Sequence, residues 1–408
     1  MTKNQSVMLI SHNNFAGGAA RAAARLYACL SNDREIEFDL AQKYGKDPRI
    51  NELKNFRRFF SVIATRVDIL ICKLIEPNNK EWQTAAYFGA ISARSINKSN
   101  FSIVNLHWIG HGLISLRQIR KIKKPIVWTL HDEWILNPIS HYSESLTKSK
   151  SRGKFLNYIS FKLKNNRIQL KEKIVMQNNI YLICLNSEVE RKLKTQFPEK
   201  KNIFLIANPV NLQDFYPETN SELRLRFNLQ PDIPIALFLG GEKDPRKGWD
   251  LLIEATKYCK SSFALIVITS ADMSKIAINS RIKIIEQRRI QSVDELRRLY
   301  SLVNVVIVPS RVEGLPQTAT EAISCGTPVV GFSIGGLMDI VHDDSTGFLA
   351  ETYDVQNLGF LIDRILKLDK NKFVQSCRNF ALKNFDFKIV ENKYEQVFTN
   401  AVNKKINA

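Results

Sequence analysis

The feature that most constrains the fold is the alternation of short β-branched runs with longer amphipathic segments. This pattern is typical of parallel α/β architectures, in which helices connect the strands. The strand candidates of the first half are Val7–Ile10, Ile103–Leu106, Ile126–Leu130 and Ile180–Leu185. Those assigned to the second half are Ile203–Ala207, Ile235–Leu239, Ala264–Thr269, Arg281–Ile285, Val305–Pro309 and Pro328–Phe332. Two sets of strands predict two doubly wound α/β domains that face each other, with ligands bound in a cleft beyond the carboxyl ends of the strands.

A turn-forming segment lies near the middle of the chain. Asn208-Pro209-Val210-Asn211 combines a proline with two asparagines, which favour an extended or turning connection. We therefore predict a first domain at residues 1–208 and a second at 209–385, followed by a helix over about 386–408. A chain of 408 residues is also too long for one ordinary hydrophobic core.

The cysteines and the apolar segments bound the compartment in which the protein works. The six cysteines form no CxxC pair and no Cys/His cluster at metal-ligand spacing, so neither a disulfide framework nor a zinc site is indicated. The apolar stretch Val7–Ile10 is interrupted by polar residues before it reaches signal-peptide length. No uncharged run is long enough to cross a bilayer as a helix. These features predict a cytoplasmic protein whose contact with a membrane is peripheral.

The formal net charge of +19 is concentrated in the first half, where residues 1–200 hold 33 basic and 16 acidic side chains. The densest basic stretch, Lys148–Lys173, has nine basic residues and one acid, with apolar residues such as Phe155 and Phe161 interleaved. Three interpretations remain open: a solvated helix face, a nucleic-acid patch, or a surface that sits on anionic lipid. The apolar interleaving favours lipid. No nucleic-acid recognition motif occurs, so we expect no nucleic-acid partner.

Paired glycines follow the first predicted strand. Gly17 and Gly18 stand directly before an alanine-rich helical segment. Glycines at a helix start let backbone approach a ligand closely, and the N–H groups there attract anions. A tight strand-to-helix turn without a ligand is the equally weighted alternative.

Two glutamates flank a predicted helix start in residues 303–330, which read VNVVIVPSRVEGLPQTATEAISCGTPVV. Glu313 lies on the loop after a buried strand, and Glu321 falls about one turn into a helix that begins near Pro316. A helix N-terminus offers backbone donors to a diphosphate, and a carboxylate can accept hydrogen bonds from a ribose diol. The alternative is an acid that stabilises the helix dipole together with an exposed mid-helix glutamate.

Two adjacent cations follow the predicted strand Ile235–Leu239. Arg246 and Lys247 lie on the loop at the carboxyl end of this strand, in the sequence GGEKDPRKGWD. A planar arginine fork and a compact lysine charge both suit a diphosphate. Solvent-exposed basic residues are the alternative, above all for Arg246.

His131 stands out among the six histidines because it directly follows the buried-looking strand Ile126–Leu130. That position places it at the edge of the sheet where ligands bind. A lone histidine is usually not catalytic, so the other five histidines are not selected. We select His131 because of its position after this strand. Asp132 either orients the His131 ring or caps the following turn, and the sequence does not choose between these roles.

Several spaced segments together resemble glycosyltransferase family 4, the retaining GT-B enzymes. They are FLGGEKDPRKGWDLLIEA, ELRRLYSLVNVVIVPS, PSRVEGLPQTATEAISCGTPVVGFSIGG, LIANPVNLQDFYP and TLHDEW. The spacing Glu313-x7-Glu321 matches the paired-glutamate motif of that family, and VNLHWIG resembles its branch of bacterial exopolysaccharide and O-antigen transferases. The resemblance implies a GT-B fold of two facing Rossmann-like domains, with the last helix returning to the first domain.

Roles for the second-domain residues are implied by this resemblance. Glu321 would hold the nucleotide ribose, Glu313 would contact the transferred sugar, and Lys247 with Arg246 would neutralise the leaving diphosphate. Backbone N–H groups within the segment Gly314-Leu315-Pro316-Gln317-Thr318 would also help to neutralise the leaving diphosphate.

In the first domain, the resemblance implies that His131 contacts the donor sugar near the reacting centre and that Gly17 and Gly18 let the domain approach the donor phosphates. One position departs from the family pattern. Many members have an arginine where this chain has Gly241, so a phosphate contact is either missing or supplied by Arg246.

The resemblance predicts a retaining, metal-independent hexosyltransferase without a cofactor. Its donor would be a nucleotide-diphosphate sugar and its acceptor a lipid-linked oligosaccharide of bacterial surface polysaccharide biosynthesis, reached at the anionic inner face of the plasma membrane. Two alternatives stay open: a GT-B nucleotide-sugar epimerase, and a non-catalytic partner in glycan assembly. The sequence does not reveal the nucleotide base, the sugar, the linkage or the acceptor.

Overall fold

The computed structural model describes residues 6–13, 17–31, 36–42, 50–52, 55–77, 82–142, 153–219, 222–241, 244–269, 272–273, 276, 278–288, 290 and 292–406. The chain divides into two units. Unit 1 comprises Met1–Asn208 and Glu391–Ala408, and unit 2 comprises Pro209–Val390. The part of the basic stretch Lys148–Lys173 that precedes Gly153 lies outside the described residues.

Unit 1 is built around a seven-stranded sheet in the order β3-β2-β1-β4-β5-β6-β7. Its strands are β1 Val7–Asn13, β2 Ile36–Gln42, β3 Ile50–Glu52, β4 Ile103–Leu106, β5 Ile126–Leu130, β6 Ile180–Cys184 and β7 Ile203–Leu205. Every neighbouring pair is parallel. The helices are α1 Gly18–Leu30, α2 Asn55–Ile75, α3 Ala93–Lys98, α4 Leu116–Ile119, α5 Lys154–Val175 and α6 Ser187–Gln196.

Unit 2 has a six-stranded parallel sheet in the order β10-β9-β8-β11-β12-β13. Its strands are β8 Ile235–Phe238, β9 Phe263–Ile268, β10 Ile282–Gln287, β11 Val305–Val308, β12 Val329–Phe332 and β13 Gly347–Ala350. Its helices are α7 Glu222–Arg226, α8 Trp249–Thr256, α9 Val293–Leu302, α10 Gln317–Ser324, α11 Leu337–Ile340, α12 Val355–Leu366 and α13 Asn371–Asn384.

The central strands are buried along their whole length because helices cover both faces of a parallel sheet. This holds for β4, β5 and β6 in unit 1 and for β8, β11 and β12 in unit 2. One strand assignment from the sequence is wrong. Ile203–Ala207 was assigned to the second set, but β7 pairs with β6 in the sheet of unit 1.

Both sheets have a point where the direction of strand addition reverses. It lies between β1 and β4 in unit 1 and between β8 and β11 in unit 2. The loops at the carboxyl ends of two such strands diverge to opposite faces of the sheet, which leaves a crevice where ligands of open α/β sheets bind. The loops after β8 and β11 therefore form the candidate ligand site of unit 2.

The last helix, α14 Phe387–Ile406, begins in unit 2 and continues into unit 1. Within unit 1, the Tyr394 hydroxyl lies 2.9 Å from Thr129 Oγ1 of β5, and both groups are buried. Among the described residues, no helix combines the length and the apolar character that a membrane crossing requires.

Candidate functional site

The loops after β8 and β11 are fastened to each other at the switch point of unit 2. Asp244 caps a short 3-10 turn, Pro245–Lys247, by accepting a hydrogen bond from Arg246 N. The turn ends at Gly248, whose φ of 69° is in the left-handed region. Gly248 also lies against the loop after β11, because an added Cβ would be 1.8 Å from Pro309 O. Arg311 N donates to Arg246 O at 2.7 Å, so backbone contacts fix the two loops relative to each other.

This fastening brings Lys247 and Glu313 together. Lys247 Nζ lies 2.5 Å from Glu313 Oε1, and Ser310 Oγ donates to the same oxygen at 2.7 Å. The Glu313 side chain is 9% exposed, whereas the Lys247 side chain is 35% exposed. A largely buried carboxylate thus holds a lysine whose charge is still open to a ligand.

Arg246 is engaged within its own turn. Its Nε and Nη2 donate to the two carboxylate oxygens of Asp244, at 3.0 and 2.7 Å. Burial works against ionisation of this carboxyl, but the Arg246 guanidinium holds the pKa of Asp244 below its usual value. Diphosphate binding by Arg246, as predicted from the sequence, would have to compete with Asp244.

Two groups of residues that were not identified from the sequence hold the loop after β11 in place. Arg311 forms a bidentate pair with Asp250, with bonds of 2.8 and 2.5 Å, and so anchors the loop after β11 to α8. Gly335 and Gly336 lie against the Glu313–Gly314 backbone: a Cβ on Gly335 would be 1.9 Å from Glu313 O, and one on Gly336 would be 2.3 Å from Gly314 O. The segment GFSIGG carried the signal, because paired glycines mark a close backbone approach.

Glu321 lies in α10, the helix that follows the Glu313 loop. Pro316 is the N-cap of α10, which begins at Gln317 and includes Thr318 in its first turn. Glu321 is 4% exposed, and its Oε2 accepts a hydrogen bond from Tyr300 OH of α9 at 2.8 Å. The alternative of an exposed mid-helix glutamate is therefore wrong. Leu315 and Gln317 are also buried, whereas Gly314 and Thr318 are half-buried.

Gly17 and Gly18 begin α1 in unit 1. Gly17 is the N-cap residue with φ of 91°, a conformation that disfavours any other residue. A Cβ added to either glycine would meet no atom of the described residues within 4 Å. Packing therefore does not require glycine at position 18, and open space adjoins both positions.

His131 directly follows β5 and is half-buried. Its Nε2 lies 2.8 Å from His107 Nδ1, and His107 Nε2 lies 2.8 Å from Asn105 Oδ1. Burial lowers the pKa of His131 to about 4, so its imidazole is neutral at pH 7. His107, which was not selected in the sequence, belongs to the same cluster.

Asp132 does not orient the His131 ring. Its Oδ1 accepts from Trp134 N at 2.9 Å, and its Oδ2 lies 2.6 Å from Nδ1 of another histidine, His141. Burial raises the pKa of this carboxyl, but His141 and the Trp134 N–H outweigh it and lower the pKa overall. Of the two roles considered for Asp132, capping of the following turn is the one that the structure has.

Comparisons with known proteins bear on both units. Residues 221–383 match the family model described as Glycosyl transferases group 1. A D-inositol 3-phosphate glycosyltransferase from Xylanimonas cellulosilytica is 24% identical over 297 residues, which are 69% of this chain and 67% of that protein. Other curated relatives match over 46% to 57% of their own length.

Solved structures share the fold over nearly the whole chain. Sucrose-phosphate synthase from Thermosynechococcus elongatus has a TM-score of 0.68 at 18% identity, covering 97% of this chain and 98% of that one. HepE from Anabaena, solved in complex with UDP-glucose, has a TM-score of 0.60 at 14% identity, covering 97% and 99%. The predicted fold class, the GT-B type with two parallel α/β domains, is confirmed. The family match lies within unit 2 and includes the Lys247–Glu313 pair.

Proposed function

We propose that the protein is a retaining, metal-independent glycosyltransferase that moves a hexose from a nucleotide-diphosphate sugar to a lipid-linked glycan acceptor. The Lys247–Glu313 pair carries this proposal, because it lies at the switch point of unit 2 and within the residues that match the family model. A cation and a carboxylate on adjoining loops suit a ligand that has both a diphosphate and hydroxyl groups.

The donor diphosphate would take the positive charge that Glu313 now holds. Lys247 Nζ would move from carboxylate to phosphate oxygens, and the N-terminus of α10 would add backbone donors from Gln317 and Thr318. Glu313 would then accept hydrogen bonds from the transferred sugar. Glu321, held by Tyr300, would accept them from the ribose diol.

In the transfer step, the acceptor oxygen would bond to the anomeric carbon on the face from which the diphosphate departs. The bond between that carbon and the phosphate oxygen breaks, and the leaving phosphate takes the acceptor's proton. Lys247 and the α10 N–H groups would stabilise the charge that develops on the diphosphate, so we expect no need for a metal ion.

The acceptor proposal rests on one surface of unit 1, formed by α2 and α5, which we call the α2–α5 surface. The two helices contact each other, with Ser160 Oγ donating to Ile75 O at 2.8 Å. Large apolar side chains on both helices are 60% to 80% exposed: Phe56, Phe59, Leu70, Phe155, Tyr158 and Phe161. Basic side chains are interleaved with them: Arg57, Arg58, Arg66, Lys73, Lys154, Lys162 and Lys164.

Exposed aromatic side chains among lysines and arginines suit the interface of an anionic bilayer, where apolar groups insert and cations attract headgroups. We propose that the α2–α5 surface rests on the inner face of the plasma membrane, where a lipid-linked acceptor would be available. Sedimentation with vesicles tests this. Phe59→Ser with Phe161→Ser should release the protein from anionic vesicles, whereas Leu225→Ser in α7, which is even more exposed but lies in unit 2, should not. Equal binding to neutral and anionic vesicles would contradict the proposal.

The function itself is tested by incubating purified protein with UDP-, GDP- and ADP-sugars and a bacterial lipid-linked acceptor extract, with EDTA present. We expect product in EDTA and none with Glu321→Ala. Release of an isomerised sugar nucleotide without acceptor would favour the epimerase alternative, and donor binding without turnover would favour the non-catalytic one. Absence of nucleotide-sugar binding would refute the site.

A further inference from the structure

Three polar side chains at the carboxyl ends of β4 and β5 form a chain whose hydrogen positions can be deduced. Asn105 is fully buried in β4, and its Nδ2 donates to Val127 O of the neighbouring β5 at 2.8 Å. A backbone carbonyl only accepts, so the amide nitrogen of Asn105 must face Val127 and the amide oxygen must face the other way. That oxygen lies 2.8 Å from His107 Nε2.

The orientation of Asn105 determines the tautomer of His107. An amide oxygen only accepts, so His107 Nε2 carries the hydrogen. Full burial lowers the pKa of His107 well below its usual value, so the ring is neutral and Nδ1 carries the lone pair. His107 Nδ1 must therefore accept from its other neighbour, His131 Nε2, at 2.8 Å.

We propose that Asn105 and His107 are positioning residues that hold His131 as the neutral Nε2–H tautomer, so that His131 Nδ1 accepts a hydrogen bond from a sugar hydroxyl. This inference rests on the proposed function, which makes a sugar the ligand near His131. The ring lines a cavity of unit 1 with Thr84, Trp108 and His141. Within the described part of the chain, Nδ1 has no hydrogen-bond partner.

The surrounding groups leave this Nδ1 to a ligand. Asp132 is next in sequence, but its two oxygens are directed to Trp134 N and His141 Nδ1, and no hydrogen bond joins it to His131 within the described residues. The second nitrogen of His141 is 3.0 Å from Thr84 Oγ1. His131 therefore acts as a hydrogen-bond acceptor and does not supply a proton at neutral pH.

The tautomer can be read directly from the side-chain 15N shifts of histidine in the full-length protein, with His131→Ala identifying the signal. We expect a protonated Nε2 and a lone-pair Nδ1 for His131. His107→Gln should preserve this pattern, because the glutamine NH2 can donate to Asn105 Oδ1 while its oxygen accepts from His131. His107→Phe removes the acceptor and should shift His131 toward the mixture of tautomers that a free neutral imidazole has. A protonated Nδ1 in the unmodified protein, or an unchanged pattern in His107→Phe, would overturn the inference.

Ligand binding gives a second measurement, with UDP-, GDP- and ADP-glucose as the probes. Loss of one well-placed hydrogen bond corresponds to roughly a tenfold change in affinity, so His107→Phe should bind about tenfold more weakly. His107→Gln should bind within about twofold of the unmodified protein. Equal weakening in both variants, with circular dichroism unchanged, would contradict a positioning role. No binding by any form would count against the proposed function, whereas the 15N pattern would still decide the tautomer.

Discussion

The two units have the same order of strands around the switch point but different chemistry at the carboxyl edge of the sheet. In unit 1 this edge carries neutral imidazoles, because burial lowers the pKa values of His12, His111 and His131 to about 4. In unit 2 it carries ion pairs: Lys247–Glu313 joins the loops after β8 and β11, and Arg311–Asp250 joins the loop after β11 to α8. Topology therefore sets where a site can form, and the side chains set which ligand it suits.

This difference divides the expected work between the units. A diphosphate needs cations and backbone donors, which the edge of unit 2 provides. A neutral polyol needs hydrogen-bond acceptors and flat apolar rings, which the edge of unit 1 provides through His131 and Trp108. The four predictions that follow test this division, from the largest expected effect to the smallest.

Removal of the lysine at the unit 2 edge should have the largest effect. We expect Lys247→Ala to lower kcat by roughly 10²- to 10³-fold, because it removes a donor aimed at the charge that develops on the diphosphate. Steady-state kinetics with the donor found in the screen measures this. Lys257→Ala is the control, since Lys257 is exposed and pairs with Glu254 of α8. Similar losses of kcat in both variants would show that the rate depends on the overall charge of unit 2 and not on the position of Lys247.

The close backbone approach beneath Glu313 should make Gly335 intolerant of a side chain. We expect Gly335→Ala to cost about 3 kcal/mol of unfolding free energy, because its Cβ would collide with Glu313 O and the loop must shift. Chemical denaturation measures this cost. Gly18→Ala is the matched control: open space adjoins Gly18, so stability should be unchanged even where donor binding weakens. A stable Gly335→Ala variant would contradict the geometry of this loop.

Mild acid should destabilise unit 1 more than unit 2. The folded pKa values of His12, His111 and His131 lie near 4, below the value of 6.5 in the unfolded chain, so the unfolded state binds protons first as the pH falls. Each histidine should lower the free energy of unfolding by about 1 kcal/mol as the pH falls from 7 to 5.5.

Asp68 partly offsets this loss. Burial raises the pKa of Asp68 to about 6, so the folded state binds a proton before the unfolded state does. This adds about 1 kcal/mol to the free energy of unfolding at pH 5.5. The lowered pKa values of Asp244 and Asp250 in unit 2 matter only near pH 4 and below. Hydrogen exchange at pH 7 and 5.5, corrected for intrinsic rates, should show protection lost first in β1, β4 and β5. Equal loss of protection in both sheets would contradict the prediction that the buried histidines make unit 1 more sensitive to acid than unit 2.

The smallest effect is expected at Tyr300. We expect Tyr300→Phe to cost about 1 kcal/mol of unfolding free energy, because the buried Glu321 loses a hydrogen bond. The KM for the donor should rise while kcat stays within about twofold, since Glu321 is proposed to act at the ribose and not at the reacting carbon. Kinetics and denaturation of one variant measure both. A fall in kcat with KM unchanged would argue against a ribose role.

The sequence predicted the central strands well because continuous β-branched runs are typical of strands buried on both faces. It missed β2, where Glu37 and Asp39 interrupt the apolar pattern, β3, which has three residues, and β13, whose sequence GFLA has no β-branched residue. It also assigned β7 to the wrong set, because a single sequence indicates strands but not which strands become neighbours.

At the candidate site, position along the chain predicted that Lys247, Glu313 and His131 follow strands. It could not predict atomic partners. The Asp132–His141 bond spans a loop, and His107 acts through its neighbour, so neither gives a local pattern in the sequence. The functional roles of these residues stay predictions until the variants above are measured.

The path of α14 has a consequence for synthesis on the ribosome. The strands of unit 1 emerge before those of unit 2, but Thr129 of β5 obtains its hydrogen-bond partner, Tyr394, only after all of unit 2 has been made. At roughly 5–20 residues per second, adding that part of the chain takes on the order of 10 to 40 s. Unit 2 is the continuous segment and can complete its core first, so the domain translated first is the one that finishes folding last.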